Sequence, residues 1–133
     1  MHIAIDQLKQ KILTTLGAKF PPEQAEKITD YLIWAEMSGF KTQGVLKMTG
    51  TEPLQNIVPK YPPKVERDTK LSQLIDGGAN PAPVVFQIAT DVAIEKAQTS
   101  GFSIVGAHNT FSSVGALAFY VDKIARADLI GIA

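Results

Sequence analysis

The chain has 133 residues, of which 45% are apolar and 20% are charged, which is the balance of a single folded globular domain rather than a disordered segment. Thirteen basic residues offset thirteen acidic ones, so charge gives no support for nucleic acid or an anionic membrane surface as a partner. The sequence contains no cysteine, which excludes disulfides, thiolate catalysis and thiolate metal sites and fits a reducing compartment.

The first residues, MHIAIDQLKQKILTTL, mix polar and apolar side chains. A secretory signal needs a continuous apolar segment after a basic start, and no run in the sequence approaches the length that spans a bilayer. We therefore expect a soluble cytoplasmic protein.

Two helices are predicted at the start of the chain. In the first, apolar residues recur at helical spacing until Gly17, at Ile5, Leu8, Ile12 and Leu16. The second enters at Pro21 and Pro22 and stops at Gly39, with one apolar face formed by Ala25, Ile28, Leu32 and Ala35. Together they predict a helical hairpin.

Residues 40–67 are predicted to be irregular, because four prolines fall within GTEPLQNIVPKYPPKVERD. Such a segment either lies across a neighbouring surface or links two lobes. We place a domain boundary here, with a helical region and Pro-rich linker at 1–67 and an α/β region at 68–133.

The α/β region alternates predicted strands and helices. A strand is expected at 71–75, followed by a turn at 76–78. A helix then begins near Pro83, with its apolar face at Val85, Ile88, Ala89, Val92 and Ala93. A second strand lies in GFSIVGAHN, and a helix from about Val114 is expected to bury Leu117, Ala118, Val121, Ile124 and Ala125. The segment DLIGIA is expected to form a last strand.

This order predicts an α/β fold in which the helical hairpin precedes a small mixed sheet with two packed helices. The strand–helix–strand order favours a parallel pair joined by a crossover. The expected last strand would leave a sheet edge to be covered locally or by another chain.

The segment HNTFSSVGA, residues 108–116, leaves three interpretations open: a catalytic histidine loop, an anion-binding helix start or a polar turn. His108 follows a predicted strand, where α/β proteins place ligands, and it can act as an acid or base or only as a structural hydrogen-bonding residue. Ser112 or Ser113 is expected to cap the next helix. That helix start, with the small residues Gly115 and Ala116, could also receive a phosphate or carboxylate, although neither standard nucleotide-binding glycine motif is present.

A second candidate site is GFKTQGVLK, residues 39–47. Two lysines with hydroxyl and amide groups could hold a carboxylate: Lys41, Thr42, Gln43 and Lys47. The alternative is a solvated turn that carries lysines. Metal binding is not expected, because the sequence has no H-x-x-H and its acidic residues are scattered.

Two segments together resemble the malate/L-lactate dehydrogenase family that lacks a Rossmann fold and includes ureidoglycolate, sulfolactate and diketogulonate enzymes and cyclic imino acid reductases. The run YLIWAEMSGFKTQGVLKMTG is similar to the family motif A-D-L-x-G-x-x-S-H-G-V-x-R. The matched positions are Ala35, Glu36, Met37, Gly39, Thr42, Gln43, Gly44, Val45 and Lys47. The run from DGGANPAPVV to DLIGIA resembles the family pattern D-G-x-x-x-x-G, a helix, V-x-V-R-N-S-N-H-F-G-A-A-G-Y-Y and G-L-I-G-I.

The resemblance implies a dimeric NAD(P)-dependent oxidoreductase acting on a small 2-hydroxy/2-oxo or 2-imino acid, with no metal. It places the substrate carboxylate near the 41–47 loop and proton transfer in the loop from His108 to Ser113. Cofactor contacts are implied for Ser112, Gly115, Ala116 and Leu117.

The chain departs from the family pattern at the reactive positions. The family's catalytic histidine aligns with Ser113, and His108 stands where the motif has arginine. Serine cannot act as the base at neutral pH without a second base beside it. Lys47 replaces an arginine and loses its bidentate recognition of a carboxylate.

Family members are considerably longer, so the resemblance covers an N-terminal portion: a truncated form, part of a split protein or a shortened relative. We expect the isolated chain to be weakly active or inactive and to form a homo-oligomer or associate with a missing C-terminal part. The alternative is a non-catalytic relative that binds a small anion or a partner protein through the remnant cleft.

Overall fold

The computed structural model describes residues 3–50 and 53–133, so His2 lies outside the described residues. The chain divides into two compact units, residues 1–56 and residues 57–133. The first holds α1 (Ile5–Gly17), α2 (Pro22–Met37) and two short 3-10 helices, Val45–Met48 and Leu54–Asn56. The second holds β1 (Lys64–Asp68), β2 (Ser72–Asp76), α3 (Ala82–Ser100), β3 (Ile104–His108) and α4 (Ala118–Ala125).

The first unit is built on the predicted helical hairpin, in which α1 packs against α2. The buried residues of the two helices follow the predicted faces at Ile12, Leu16, Ala25, Ile28, Leu32 and Ala35. Ile5 is the exception on the predicted face of α1, because it lies in the first turn and is exposed. Lys9 Nζ and Asp30 Oδ1, 2.9 Å apart, form an ion pair between the helices.

The second unit contains a mixed sheet with the strand order β1-β2-β3. β1 is antiparallel to β2, and β2 is parallel to β3 with Asp76 opposite His108. Since α3 connects the two parallel strands, the predicted crossover pair is confirmed. The fold class predicted from the sequence is therefore correct.

The core of the second unit lies between α3 and one face of the sheet. Ile75, Val85 and Ala89 are buried together, and the partly buried Ile88, Val105 and Ala107 pack against them. Full burial of each large aliphatic side chain stabilises the folded chain by about 1.5–3 kcal/mol. Gly101 ends α3 in the left-handed conformation at φ +79°, with its N–H bonded to the carbonyl of Ala97.

β1 was not predicted, and it changes where the chain divides. All five of its residues are exposed, so the sequence KVERD lacks the apolar alternation by which a strand is recognised. Main-chain pairing with β2 holds it in the sheet. Residues 57–67 consequently belong with the second unit, and the observed division comes earlier than the predicted boundary after residue 67.

The end of the chain differs from prediction in two respects. α4 begins at Ala118 rather than near Val114, because Gly115 has φ +89°, which no right-handed helix accommodates. Its buried residue is Tyr120, whereas Leu117, Ala118 and Ala125 of the predicted face are exposed. The predicted last strand is also wrong, since residues 129–133 form no regular structure and the side chains of Ile130 and Ile132 are almost fully exposed.

Among the helices of the described residues, none is long and apolar enough to cross a membrane.

Candidate functional site

The candidate site of the second unit is at the carboxyl ends of the parallel strands β2 and β3. The loops that follow these strands are joined by main-chain hydrogen bonds: Gly77 N–H donates to His108 O at 2.8 Å, and Ala79 N–H donates to Asn109 O at 2.7 Å. Phe111 N–H returns a bond to Asn80 O at 2.9 Å. This is the edge of an α/β sheet at which ligands bind, where loops diverge from strand ends.

A buried carboxylate organises this edge. Asp76, 4% exposed, accepts hydrogen bonds at Oδ1 from Gly78 N–H at 2.9 Å and Asn109 Nδ2 at 2.8 Å. Its Oδ2 accepts the Tyr61 hydroxyl hydrogen at 2.8 Å and lies 3.6 Å from Lys64 Nζ. Asn109 Nδ2 also donates to the Tyr61 hydroxyl at 3.1 Å, which closes a ring of polar contacts.

These contacts keep Asp76 ionised. The Gly78 N–H and then the Asn109 amide lower the pKa of the Asp76 carboxyl far below its ordinary range, against the opposing effect of burial. The hydrogen bond to Asp76 in turn raises the pKa of the Tyr61 hydroxyl. Asp76 therefore acts as a fixed anion that positions the two loops, not as a group that exchanges protons near neutral pH.

His108 ends β3 beside this ring, and its partner comes from β1. Its Nε2 lies 2.7 Å from Glu66 Oε2, with the His108 side chain 48% exposed and that of Glu66 38% exposed. The predicted strand-end position of His108 is therefore confirmed. The partnership with Glu66 is a contact between outer strands that the sequence did not indicate.

The predicted serine cap of α4 is wrong. The residue before the helix is Leu117, with no side-chain cap. Ser112 has φ +69° and directs its hydroxyl to Ser113 O at 3.4 Å. The serines precede a non-helical stretch, and neither is the residue at which the helix begins.

The start of α4 also uses its own N–H donors. Phe119 N–H bonds to Ala116 O at 3.1 Å, while the Tyr120 and Val121 N–H groups both bond to Leu117 O. A phosphate or carboxylate at this helix start would have to compete with these bonds. The segment therefore fits an uncharged contact better than an anion site.

The 41–47 segment, in the first unit, is a turn followed by a 3-10 helix. Gln43 N–H bonds to Phe40 O at 2.8 Å, and Lys47 N–H bonds to Gly44 O at 2.9 Å. Lys41 and Thr42 are exposed, but Lys47 is 7% exposed. The four predicted substrate residues thus lie in one short segment, and Lys41 and Thr42 are the two at its surface.

Two details make this segment unusual. Val45 N–H donates to Glu36 Oε2 at 3.1 Å, and a side chain at Gly44 would overlap that carboxylate, so the glycine allows α2 and the turn to approach closely. Gln43 Oε1 is buried and has no hydrogen-bond partner within the described part of the chain. A buried acceptor without a donor costs about 1–3 kcal/mol, and such atoms are rare in folded proteins.

The predicted residues fall in different units: Lys41, Thr42, Gln43 and Lys47 belong to the first, and the 108–117 residues to the second. Four residues of the site were not predicted from the sequence: Tyr61, Glu66, Asp76 and Asn109. Asp76 and Asn109 had a signal, since each follows a predicted strand at the ligand-binding edge. Tyr61 lies in the proline-rich segment and Glu66 in an exposed strand, where no pattern marks either residue.

No group of three or more His, Cys, Asp or Glu side chains able to hold a metal ion occurs within residues 3–50 and 53–133.

The sequence profile of the malate/L-lactate dehydrogenase family matches residues 3–133. The chain belongs to this family. Its relatives include the L-sulfolactate dehydrogenase of Methanothermobacter thermautotrophicus, which is 29% identical in an alignment of 131 positions, gaps included, that covers 92% of the chain and 36% of the relative. Another relative is the malate/(S)-sulfolactate dehydrogenase of Methanothermus fervidus, which is 31% identical in an alignment of 142 positions, gaps included, that covers 99% of the chain and 40% of the relative.

Solved structures of the family agree with the fold. The malate dehydrogenase of Entamoeba histolytica superposes with a TM-score of 0.88 at 26% identity, over 96% of this chain and 36% of that one. The malate dehydrogenase of Pyrococcus horikoshii gives 0.81 at 27% identity, over 92% and 36%. The chain thus spans little more than a third of the length of these malate/L-lactate dehydrogenase family members.

Proposed function

We propose that the chain is an NAD(P)-dependent oxidoreductase, or a part of one, that acts on a small 2-hydroxy/2-oxo or 2-imino acid in the cytoplasm. The observation that carries this proposal is the family match over residues 3–133, together with relatives named L-sulfolactate dehydrogenase and malate/(S)-sulfolactate dehydrogenase. Both of those names describe dehydrogenation of a small 2-hydroxy acid, and we extend that chemistry to this chain.

In this proposal the 41–47 segment binds the substrate. Lys41 and Thr42 are exposed and offer an ammonium and a hydroxyl to a carboxylate. The unpartnered Gln43 Oε1 supports the same role, because a hydroxyl or iminium hydrogen of the substrate would supply the donor that the protein lacks. We assign Lys47 to the charge of the site rather than to direct contact, since its side chain is buried.

The nicotinamide cofactor fits the 112–117 segment only in part. Gly115, at φ +89°, and Ala116 carry little or no side chain and permit close approach of a flat ring, and Leu117 is 44% exposed. The N–H groups of the first turn of α4 are bonded within the helix, so we assign Ser112, Gly115, Ala116 and Leu117 to the uncharged part of the cofactor and not to its phosphates. When bound, the cofactor supplies or accepts the hydride.

We assign proton transfer to His108, with Ser113 as a neighbouring polar group. Imidazole is the side chain suited to donate and accept a proton near neutral pH. The half-exposed His108 lies at the ligand-binding edge of the sheet, whereas a serine hydroxyl needs a base to lose its proton.

We also propose that the chain forms a homo-oligomer or associates with a polypeptide that corresponds to the rest of its longer relatives.

A second candidate is a non-catalytic relative that binds a small anion or a partner protein. Ser113 favours it, because this serine stands at the position that the family motif gives to histidine. Under this alternative the 41–47 segment would still bind a carboxylate, but no hydride transfer would follow.

The test is a fluorescence titration of the purified chain with NADH and NADPH, with and without a 2-oxo acid. Saturable binding that tightens when the acid is present supports the oxidoreductase. Binding of the acid without either nucleotide would favour the non-catalytic relative. Lys41→Met should weaken acid binding severalfold, and Lys11→Met, which removes an exposed lysine from α1, serves as the matched control.

A further inference from the structure

The two faces of the sheet are unequal. Side chains alternate between the faces of a strand, and Ile75, Val105 and Ala107 are packed toward α3. Asp76 and His108 are one residue further along β2 and β3, so they lie on the opposite face. That face carries the polar edge described above.

Glu66 reaches this face through an irregularity in β1. Val65 pairs with Ile75 and Arg67 pairs with Leu74, so Glu66 is an extra residue without a partner in the ladder. Such bulges redirect a side chain and are common beside active sites. β1 and β3 are the outer strands of the sheet. Glu66 nevertheless contacts His108 across the central strand, with its Oε2 2.7 Å from His108 Nε2.

Glu66 borders open space. A surface groove of about 490 Å³ is lined by Lys64, Val65, Glu66, Arg67 and Leu74. Both members of the pair are partly exposed, so a small molecule could reach the imidazole from solvent without displacing a core residue.

We propose that Glu66 is a positioning residue that holds His108 by Nε2 and leaves Nδ1 for the substrate. This inference rests on the proposed function and names a residue that the family resemblance did not supply, since the histidine itself replaces the motif's arginine. In the neutral ring, Nε2–H donates to the carboxylate and the lone pair of Nδ1 can take a proton, which is the logic of a carboxylate-oriented histidine base.

The proton balance follows from this arrangement. In reduction of a 2-oxo acid, a bound NAD(P)H would supply the hydride that the carbonyl carbon accepts. The Nδ1–H proton of the imidazolium goes to the carbonyl oxygen, and the ring becomes neutral. In the reverse direction Nδ1 takes the hydroxyl proton as the hydride leaves. The carboxylate of Glu66 takes no part in the transfer and holds the ring by Nε2.

The carboxylate on the neighbouring strand β2 is already engaged. Asp76, its register partner on β2, is bonded to Gly78 and Asn109 and paired with Lys64 from β1. Glu66 is therefore the carboxylate in direct contact with the ring. A substitution that removes this carboxylate should change the properties of the His108 ring.

The test is a nuclear magnetic resonance pH titration of the His108 ring in the full chain and in Glu66→Gln. The variant should change the titration midpoint of the ring, because it removes the carboxylate in contact with Nε2. Glu95→Gln, which removes an exposed carboxylate from α3, should leave the titration midpoint unchanged. Equal midpoints in the Glu66 and Glu95 variants would overturn the inference.

Turnover of NADH with a 2-oxo acid supplies the second readout. The pH profile of Glu66→Gln should move in the same direction as the ring titration, and Glu66→Asp should restore part of the change. A ring that shifts while the profile stays fixed would also overturn the positioning role. Failure of the chain to bind either nucleotide counts against the proposed function alone, and the ring titration then decides whether Glu66 holds His108.

Discussion

Among single residues, Asp76 shows how a buried charge can be kept by hydrogen bonds. Burial opposes ionisation, but two N–H donors, a hydroxyl and a lysine surround the carboxylate. The ionised form is therefore more favourable in the folded chain than in the unfolded chain. That difference links folding stability to pH.

Asp76→Asn should consequently lower the folding stability of the protein by an amount that depends on pH. A carboxyl with a depressed pKa in the folded state contributes stability that is present above the unfolded value, about 3.9, and is lost as the pH falls below it. The urea midpoint of the variant should lie below that of the wild type at pH 7, and the gap should narrow below about pH 4. A gap that stays constant from pH 7 to pH 3 would show that the charge of Asp76 is unimportant. Asp6→Asn, at an exposed position of α1, is the control.

Gln43 presents the opposite case, a buried acceptor without a donor. Gln43→Met keeps the length of the side chain and removes the unsatisfied oxygen, so the ligand-free chain should gain about 1 kcal/mol in its free energy of unfolding. The same change should weaken binding of the acid. Thermal unfolding with and without a 2-oxo acid measures both effects. Gln98→Met, at an exposed site of α3, should alter neither, and a loss of stability in Gln43→Met would mean that the oxygen has a partner after all.

At the level of secondary structure, the turn after β2 depends on Gly78. Its φ is +58°, and a Cβ there would overlap the carbonyl of Tyr61. Gly101, at the end of α3, shares the left-handed conformation with φ +79° but has no atom within 4 Å of the Cβ position. Substitution of the two glycines therefore distinguishes the cost of backbone strain, which both share, from the cost of steric overlap, which arises at Gly78 alone.

Gly78→Ala should cost about 2–4 kcal/mol, the sum of the left-handed penalty and the displacement of Tyr61. Gly101→Ala should cost only about 1–2 kcal/mol, because it incurs the left-handed penalty alone. Urea denaturation of both variants measures the difference. Equal losses would show that Tyr61 moves aside without cost and does not fix the Asp76 ring.

The elements that the sequence predicted are those held by apolar periodicity. α1, α2 and α3 bury a face that recurs every three or four residues, at positions such as Ile28 and Val85. β1 was not predicted, because the main-chain bonds that pair it with β2 leave no pattern in KVERD. DLIGIA has the composition of a strand but no strand beside it within the described residues, and composition cannot supply a pairing partner.

The candidate site was likewise predictable only where a local sequence pattern marks the residue. His108 was found because its position after an apolar run marks a strand end. Glu66 was not found, because its contact with His108 depends on a bulge and spans 42 positions of sequence. The start of α4 was misplaced since a serine pair predicts a cap, whereas the positive φ of Gly115 decides where the helix can begin.

For the whole molecule, a wide apolar surface remains on the second unit. A cavity of about 780 Å³ lies among α3, β3, α4 and the residues that follow α4. Ile130 and Ile132, 96% and 95% exposed, belong to its lining. Contiguous exposed apolar surface of this kind is uncommon in an isolated folded chain.

Ile130→Ser with Ile132→Ser should therefore change the surface and not the stability. Both side chains are almost fully exposed in the folded chain, so their removal forfeits little packing and the free energy of unfolding should move by no more than about 0.5 kcal/mol. Binding of the dye ANS, which reports exposed apolar surface, should fall. Val58→Ser, at a residue that is 74% exposed and outside the cavity lining, should leave dye binding as it is. If the double variant instead unfolds more easily than Val58→Ser, then Ile130 and Ile132 are packed in solution, and the segment after α4 folds back into the cavity that it borders.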